Sequence, residues 1–332
     1  MKKYLIILFT LLVLNACKED KTNTSTKKET SQALLVKAPS FSGENAFDLV
    51  AKQVAFGPRV PNSKGHIAMG FWLADTLKKY ADTVYVQAAD LKAFDGTILK
   101  SKNIIASFNP EAMNRMFVSA HWDTRPFADQ DSERQNEPIL GANDGASGVA
   151  VLIELARLIN ENKVKKGIDL IFFDSEDYGQ PNNSKLPYVE DSYCLGSQYW
   201  SANPHTANYR AKFGILLDMV GAKDAIFTQE GYSRQYANTY VQKVWNYAKL
   251  LGYGKHFSFN KTNRITDDHY YVNTIANIPT LDIIQHDKTT ASGFGKYWHT
   301  HNDNLDAVDK KTLKAVGQTV TQVVYQFDAG KF

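Results

Sequence analysis

Four short, densely apolar segments are separated by longer stretches, and this alternation constrains the fold more than any other feature of the chain. Such segments suit strands that are covered on both faces. Strands that alternate with helices are typical of an α/β domain with a mostly parallel sheet. We therefore predict an α/β three-layer sandwich, with a central mixed, mostly parallel sheet flanked by helices. The four predicted strands are Arg115 to Ala120, Ile168 to Phe173, Phe213 to Met219 and Pro279 to Ile284.

The longer stretches carry apolar residues at the three- and four-residue spacing of amphipathic helices. Two further segments, Thr83 to Gln87 and Lys100 to Phe108, alternate or are β-branched, which is typical of edge strands. Hydrophobic residues make up 43% of the chain, and no repeat or linker follows residue 40. We therefore expect one catalytic domain over residues 41–332. The predicted helices are Ala46 to Phe56, Gly65 to Tyr80, Ser147 to Asn160, Gln235 to Leu251 and Asp309 to Phe327.

The chain begins with two lysines and an apolar run that extends to Leu14, followed by Asn15, Ala16 and Cys17. This run is typical of a secretory signal and is too short to span a membrane. Because the segment ending at Cys17 resembles a bacterial lipobox, we expect residues 1–16 to be a lipoprotein signal peptide and residues 17–40 to be a lipidated cysteine and flexible tether. The protein is then an exported lipoprotein on the periplasmic side or the cell surface, anchored in the outer membrane. A plain signal peptide with an incidental cysteine is the alternative.

Charge and cysteine content narrow the possible partners and crosslinks. Loss of Lys2 and Lys3 with the signal reduces the 38 basic side chains to 36, against 35 acidic ones. Such a balance argues against nucleic acid as a partner, because nucleic acid requires clustered positive charge. Cys194 is the only cysteine after Cys17, so an internal disulfide is impossible, and we expect Cys194 to be a small apolar filler.

Polar side chains follow the predicted strands at the points where the strands end. His121 follows the first strand, Glu176 and Asp177 follow the second, Asp218 ends the third, and His299 comes a loop after the fourth. Open α/β sheets bind ligands at the carboxyl ends of their strands. We therefore expect these residues, distant in sequence, to converge on one site.

Two carboxylates and one imidazole are typical ligands of a catalytic zinc ion, which keeps one coordination position open. Asp144 precedes a predicted helix within a glycine-flanked turn, so the alternative to a ligand is an ordinary turn or N-cap residue. Glu176 and Asp177 form an acidic pair, for which a solvated surface pair is the alternative. We interpret Glu176 as the group that moves protons and Asp177 as the metal ligand, with His299 as the third ligand beside Asp144.

The remaining histidines divide into three groups. His121 is interpreted either as a ligand of a second metal or as a structural histidine held by Asp123. His269 and His301 flank site segments without a clear role. Four histidines lie in polar surroundings and are expected at the surface: His66, His205, His256 and His286.

These segments together strongly resemble the zinc aminopeptidase-like hydrolases and, within them, the glutaminyl cyclases. The resemblance covers essentially everything after Ala46, and six segments in the right order are highly specific for the superfamily. The segments are His121-Trp122-Asp123, Ile139 to Asp144, Leu170 to Asp177, Leu216 to Ala222, Asp267-Asp268-His269, and Trp298-His299-Thr300 followed by Asp303 to Asp306.

Carried over by position, the resemblance implies that Asp144, Asp177 and His299 bind a single catalytic zinc ion. The family usually has Glu where this chain has Asp177, which is one methylene shorter, so the backbone or the zinc must shift to compensate. Cyclases from animals also carry a disulfide that this chain lacks.

The same resemblance assigns the other site residues. Glu176 matches the general acid/base, and Asp218 and Asp267 match carboxylates that hydrogen-bond near the reacting group. Trp298 matches the indole of the pocket wall, and Phe294 matches an aromatic residue beside it. The implied substrate is a peptide or protein with N-terminal glutamine, which is converted to pyroglutamate with release of ammonia.

Two other functions fit the same residues. A zinc aminopeptidase would use His121, Asp144 and Asp218 to bind a second zinc ion, but its pocket must admit varied side chains, which Trp298 opposes. A catalytically dead binding module of this fold is the third possibility, and the intact Glu176 argues against it.

Overall fold

A computed structural model describes residues 35–332, and Val36–Phe332 form one compact unit. The predicted signal peptide, the lipidated Cys17 and most of the predicted tether lie outside the described residues. Within those residues, none of the helices combines the length and the apolar character that crossing a bilayer requires.

A six-stranded mixed sheet forms the centre of the domain. The strand order is β1-β2-β4-β3-β5-β8, and β3 pairs in parallel with β4 and β5, as β5 does with β8. Strand β2 pairs antiparallel with both β1 and β4. Strands β6 and β7 form a separate parallel pair. The strands are β1 Thr83–Lys92, β2 Ile98–Phe108, β3 Arg115–His121, β4 Gly167–Phe173, β5 Gly214–Asp218, β6 Phe227–Gln229, β7 Phe257–Lys261 and β8 Thr280–Ile284.

Helices cover both faces of the sheet, as the alternation of side chains along a strand requires. On β3, Met116 and Val118 contribute to the larger core, while Phe117 contributes to a smaller core that includes Trp200. The predicted three-layer architecture is therefore confirmed. The helices are α1 Gly43–Val54, α2 Lys64–Leu77, α3 Ala146–Glu161, α4 Leu195–Ala202, α5 Gly231–Leu250, α6 Asp268–Tyr271 and α7 Lys310–Asp328, with a π-helical turn at Val272–Ala276 and a 3₁₀ turn at Leu305–Ala307.

One predicted edge strand is not at an edge. Strand β1 is the outermost strand, but β2 lies between β1 and β4. Ile98 to Ser107 of β2 pair with β1, whereas only Ile104 to Phe108 pair with β4. The first half of β2 therefore keeps the alternating burial of an edge strand, and this half dominated the sequence pattern.

The last residues of the predicted tether lie along α7 instead of extending into solvent. The backbone N–H of Val36 donates to Oε1 of Gln326 at 3.0 Å, and Nε2 of Gln322 donates to the carbonyl of Val36 at 2.9 Å. Nε2 of Gln318 donates to the carbonyl of Pro39 at 3.0 Å. Residues 36–40 are thus attached to the folded domain.

Candidate active site

The carboxyl ends of three adjacent parallel strands bring the predicted site residues together. His121 and Asp218 are the last residues of β3 and β5, and Glu176 and Asp177 follow β4. Asp144 lies just before the first turn of α3. Because β3 lies between β4 and β5, these side chains meet at one edge of the sheet.

Asp144, Asp177 and His299 form the predicted metal-binding group. Nε2 of His299 lies 3.5 Å from Oδ1 of Asp177 and 3.9 Å from Oδ2 of Asp144, and all three residues are buried. Oδ2 of Asp177 is buried without a hydrogen-bond partner. Burial and repulsion by Asp144 raise the pKa of Asp177, a cost that a bound cation relieves. The donor set therefore fits a zinc ion with three protein ligands.

A second group shares Asp144 with the first. Nε2 of His121 lies 3.0 Å from Oδ1 of Asp144 and 3.1 Å from Oδ1 of Asp218, so one atom of each residue faces a common point. Nδ1 of His121 is 3.6 Å from Oδ1 of Asp123, too far for a strong hydrogen bond. His121 therefore remains available as a metal ligand, whereas Asp123 binds backbone amides.

Asp123 and Asp303 fix the two loops that carry the acidic residues. Asp123 accepts hydrogen bonds from the backbone N–H groups of Glu176 at 3.0 Å and Asp177 at 3.1 Å. Asp303 accepts from the backbone N–H groups of Asn143 at 2.7 Å and Asp144 at 3.0 Å. Each buried carboxylate thus accepts hydrogen bonds from two backbone amides of one loop and orients the side chains of that loop.

His299 is held from two sides. Its Nδ1 lies 3.1 Å from Oδ1 of Asp129, which leaves Nε2 facing the metal group. Its ring stacks on the indole of Trp298, with centroids 3.7 Å apart, and Trp298 in turn contacts Phe294. Arg125 binds Asp129 through Nε at 2.7 Å and Nη2 at 3.0 Å.

These residues open into a cavity of about 310 Å³. Burial raises the pKa of Asp218 to about 7 and the pKa of Glu176 well above its ordinary value, and the nearby Asp177 and Asp267 raise that of Glu176 further. The side chain of Glu176 remains 14% exposed, so a ligand in the cavity reaches it. The lining includes all eight residues that were predicted for the site: Asp144, Glu176, Asp177, Asp218, Asp267, Phe294, Trp298 and His299.

Residues 103–324 match the family model described as Peptidase family M28. The chain belongs to peptidase family M28. The matched range is more than half of the chain and contains every residue that lines the cavity.

Two solved M28-like structures and one curated relative show what this M28 chain is similar to. A glutaminyl cyclase of Bacteroides thetaiotaomicron, solved with N-acetylhistamine bound, is 52% identical with a TM-score of 0.85, over 87% of this chain and 99% of that chain. A Zn-dependent exopeptidase of Parabacteroides distasonis is 49% identical with a TM-score of 0.85, over the same shares of both chains. A glutaminyl-peptide cyclotransferase of Gloydius blomhoffii is 25% identical over 254 residues, which is 68% of this chain and 65% of that protein.

These likenesses confirm the fold and the resemblance to glutaminyl cyclases that the sequence motifs indicated. M28 membership and the likeness to a Zn-dependent exopeptidase imply zinc, and the donor set described above fits it. The chain spans only 65% of the length of the Gloydius protein.

Several residues that shape this M28 site were missed from the sequence. Asp129 contacts His299, which is distant in sequence, and Tyr193 and Ile265 line the cavity. Asp303 was named only as part of a motif, without its role in binding the amide of Asp144. Cys194 is buried as expected but is more than an apolar filler, because its Sγ lies 3.2 Å from Oε1 of Glu176.

Two histidines expected at the surface are buried. Nε2 of His66 binds Asp174 at 2.8 Å, and its ring stacks on Trp122. Nδ1 of His256 lies 2.9 Å from the carbonyl of Ala225. His205 and His286 are half-buried. Polar neighbours in sequence do not reveal such tertiary partners.

Proposed function

We propose that this M28 enzyme is a glutaminyl-peptide cyclotransferase that converts N-terminal glutamine of peptides and proteins to pyroglutamate with release of ammonia. The observation that carries the proposal is the cavity that combines a three-residue metal group, the mostly buried Glu176 and an aromatic wall formed by Trp298 and Phe294. The 52% identity to a bacterial glutaminyl cyclase supports it.

One zinc ion would be held by Asp144, Asp177 and His299. A bound zinc ion supplies Lewis acidity, which polarises a carbonyl group. The attacking amine and the amide belong to the same glutamine residue, so the protein mainly has to fold the side chain back and manage protons.

Glu176 is placed to move those protons. As the α-amine forms its bond to the side-chain carbonyl carbon, Glu176 accepts one proton from the amine. It then donates a proton to the leaving nitrogen, which departs as ammonia when its bond to that carbon breaks. The raised pKa of Glu176 suits such two-way transfer near neutral pH.

The remaining lining residues orient the substrate. Asp218 and Asp267 lie at the same cavity and provide acceptors for the substrate ammonium and amide groups. Trp298 and Phe294, with ring centroids 4.8 Å apart, cover the apolar part of the glutamine side chain. With Trp298 stacked on His299, this aromatic wall would exclude water, which otherwise competes with the amine as nucleophile.

The test is ammonia release from a Gln-initiated dipeptide amide, with and without a chelator. We expect ammonia and a product without a free amine, loss of activity with chelator, and recovery on addition of zinc. Cleavage of Leu- or Ala-initiated amides with no ammonia from glutamine would refute the proposal.

An aminopeptidase is the second candidate, and one observation favours it. His121, Asp144 and Asp218 could hold a second ion beside the first, with Asp144 shared. Elemental analysis of the purified protein separates the two functions. We expect one zinc ion per chain, and two tightly bound ions with rapid Leu-amide cleavage would support the aminopeptidase.

We also propose that the enzyme is an exported lipoprotein anchored through Cys17 in the outer membrane. The lipobox-like segment supports this location. Metabolic labelling with a fatty acid, compared between the natural chain and a Cys17→Ser variant, tests it, and equal labelling of both would refute it.

A further inference from the structure

A groove continues from the candidate site and carries positive charge. Its volume is about 540 Å³, and it shares Ile265 and Phe294 with the site cavity. Lys261, Arg264 and Lys288 line it, and its lining contains no aspartate or glutamate. A ligand that leaves the cavity past Ile265 and Phe294 therefore enters a cationic surface.

The three cations have no acidic partner among the described residues, although the guanidinium of Arg264 lies over the ring of Tyr232, 5.4 Å from its centroid. Within residues 35–332, no carboxylate lies within ion-pairing distance of any of them, in contrast to paired surface lysines such as Lys78 and Lys100. All three side chains are exposed. The nearby Asp287 does not line the groove, and its Oδ1 accepts hydrogen bonds from the backbone N–H of Thr289 at 2.9 Å and from the hydroxyl of Thr289 at 2.6 Å.

Both walls of the groove are fixed by hydrogen bonds. On one side, the backbone N–H of Ile265 donates to Oε1 of Glu230 at 2.8 Å, and Nη2 of Arg234 donates to the carbonyl of Thr262 at 2.9 Å. On the other side, the hydroxyl of Thr290 donates to the carbonyl of Phe294 at 2.5 Å. A ligand therefore meets a preformed surface and loses little affinity to ordering of the protein.

The cavity and the groove are lined by different ionisable side chains. The cavity is lined by five carboxyl groups, and the groove by lysine and arginine. A peptide whose ammonium terminus enters the cavity extends about 3.3 Å per residue. Its second to fourth residues thus cover about 10 Å beyond the mouth. The groove that adjoins the mouth at Ile265 and Phe294 is lined by the three cations.

We propose that the groove binds acidic side chains at the second and third positions of the substrate, so that the preferred substrates are peptides with N-terminal glutamine followed by glutamate or aspartate. This inference rests on the proposed function for its substrate. Lys261, Arg264 and Lys288 are the specificity-determining residues, and each acts on binding of the peptide rather than on the reacting amide.

The experiment compares three amidated tetrapeptides, Gln-Glu-Glu-Ala, Gln-Ala-Ala-Ala and Gln-Lys-Lys-Ala, by the kcat/KM of ammonia release at low ionic strength. An exposed ion pair contributes about 1.5- to 5-fold. We expect the acidic peptide to exceed the alanine peptide by about 3- to 10-fold and the basic peptide to be the poorest. The advantage should shrink at high salt, because exposed charges are screened.

A triple variant, Lys261→Gln, Arg264→Gln and Lys288→Gln, should abolish the preference, so that the acidic peptide falls to the kcat/KM of the alanine peptide measured on the same variant. The matched control removes three exposed cations elsewhere, with Lys79→Gln, Lys92→Gln and Lys165→Gln. It should keep the preference. Equal kcat/KM for acidic and alanine peptides, or a preference that survives in the triple variant, would overturn the inference.

A binding measurement separates failure of this inference from failure of the proposed function. Calorimetry with Ala-Glu-Glu-Ala amide and Ala-Ala-Ala-Ala amide needs no turnover. Suppose that glutamine peptides release no ammonia, but that the acidic peptide binds more tightly than the alanine peptide and the triple variant abolishes this difference. The proposed function is then wrong, and the proposed binding of acidic side chains in the groove is supported. Equal affinity for the two peptides would refute the proposed binding of acidic side chains in the groove.

Discussion

The contact between His299 and Asp129 predicts that a residue outside the metal group controls zinc affinity. Asp129 lies 3.1 Å from Nδ1 of His299 and is itself held by two hydrogen bonds from Arg125. Burial alone would raise the pKa of Asp129. The interactions with His299 and Arg125 outweigh burial and keep this pKa well below its ordinary value, so the residue is a carboxylate. A carboxylate 3.1 Å from Nδ1 favours the tautomer of His299 that carries the proton on Nδ1, which leaves Nε2 free toward Asp144 and Asp177.

Two estimates of the magnitude agree. A hydrogen bond to a charged group contributes about 1.5–3 kcal/mol. Loss of a carboxylate that orients a metal-binding histidine costs about 10- to 100-fold in metal affinity, which is about 1.4–2.7 kcal/mol. We therefore expect Asp129→Ala to weaken zinc binding by 10- to 100-fold. Asp129→Asn keeps an acceptor but loses the charge, and should fall between this variant and the natural protein.

The assay is competition for zinc with a chromophoric chelator, with circular dichroism to verify the fold of the zinc-free protein. Asp131→Asn is the matched control, because Asp131 binds Nδ1 of His301 at 2.8 Å, and His301 belongs to no metal group in the described chain. The control should keep its zinc affinity. An Asp129→Ala protein that folds and binds zinc within twofold of the natural protein would refute the reasoning.

Three further outcomes are expected. Glu176→Gln should keep zinc but lose at least about 100-fold in kcat, and retained turnover would refute its proton-transfer role. Cys194→Ala should lower kcat several-fold at unchanged zinc content, because Glu176 loses a hydrogen bond. Cys194→Ser keeps a donor and should retain most of the natural kcat. Equal kcat for the natural protein and both variants would contradict this role. Burial lowers the pKa of His205 to about 4, so the unfolded chain binds the extra proton and the free energy of unfolding falls as pH drops from 6.5 to 4. His205→Gln should remove about 2 kcal/mol of that dependence in denaturant titrations, and an unchanged slope would refute it.

The position of the site was predictable because it depends on a rule of topology. Residues at the carboxyl ends of neighbouring parallel strands meet, so the sequence predicts that His121, Glu176 and Asp218 lie together. The helices and strands were also recognisable, because their apolar periodicity reflects burial on one or both faces. The prediction of β2 as an edge strand was wrong because only the first half of β2 lacks a partner on its second side, whereas Ile104 to Phe108 also pair with β4.

The contacts that hold the site in place were not predictable from the sequence. Asp303 binds the amide of Asp144 from 159 residues away, and Asp123 binds the amide of Asp177 from 54 residues away. His66 pairs with Asp174 across 108 residues. An isolated carboxylate or imidazole has no periodic pattern, so only the folded chain reveals which partner it finds.

Backbone strain is common at the same place: of the five described residues other than glycine, asparagine and aspartate that have a positive φ, four lie at the site. Ser175, Cys194, Met219 and His299 have φ values of 57°, 58°, 49° and 54°, although none of them is glycine. Each such residue costs about 1–3 kcal/mol and persists only where surrounding contacts enforce it. Those contacts are present, because Asp123 holds the residues that follow Ser175 and Asp129 holds the ring of His299. The strain turns Glu176 and His299 into the cavity before any ligand arrives. We therefore infer a preorganised site, which spends little substrate-binding energy on assembling its catalytic groups.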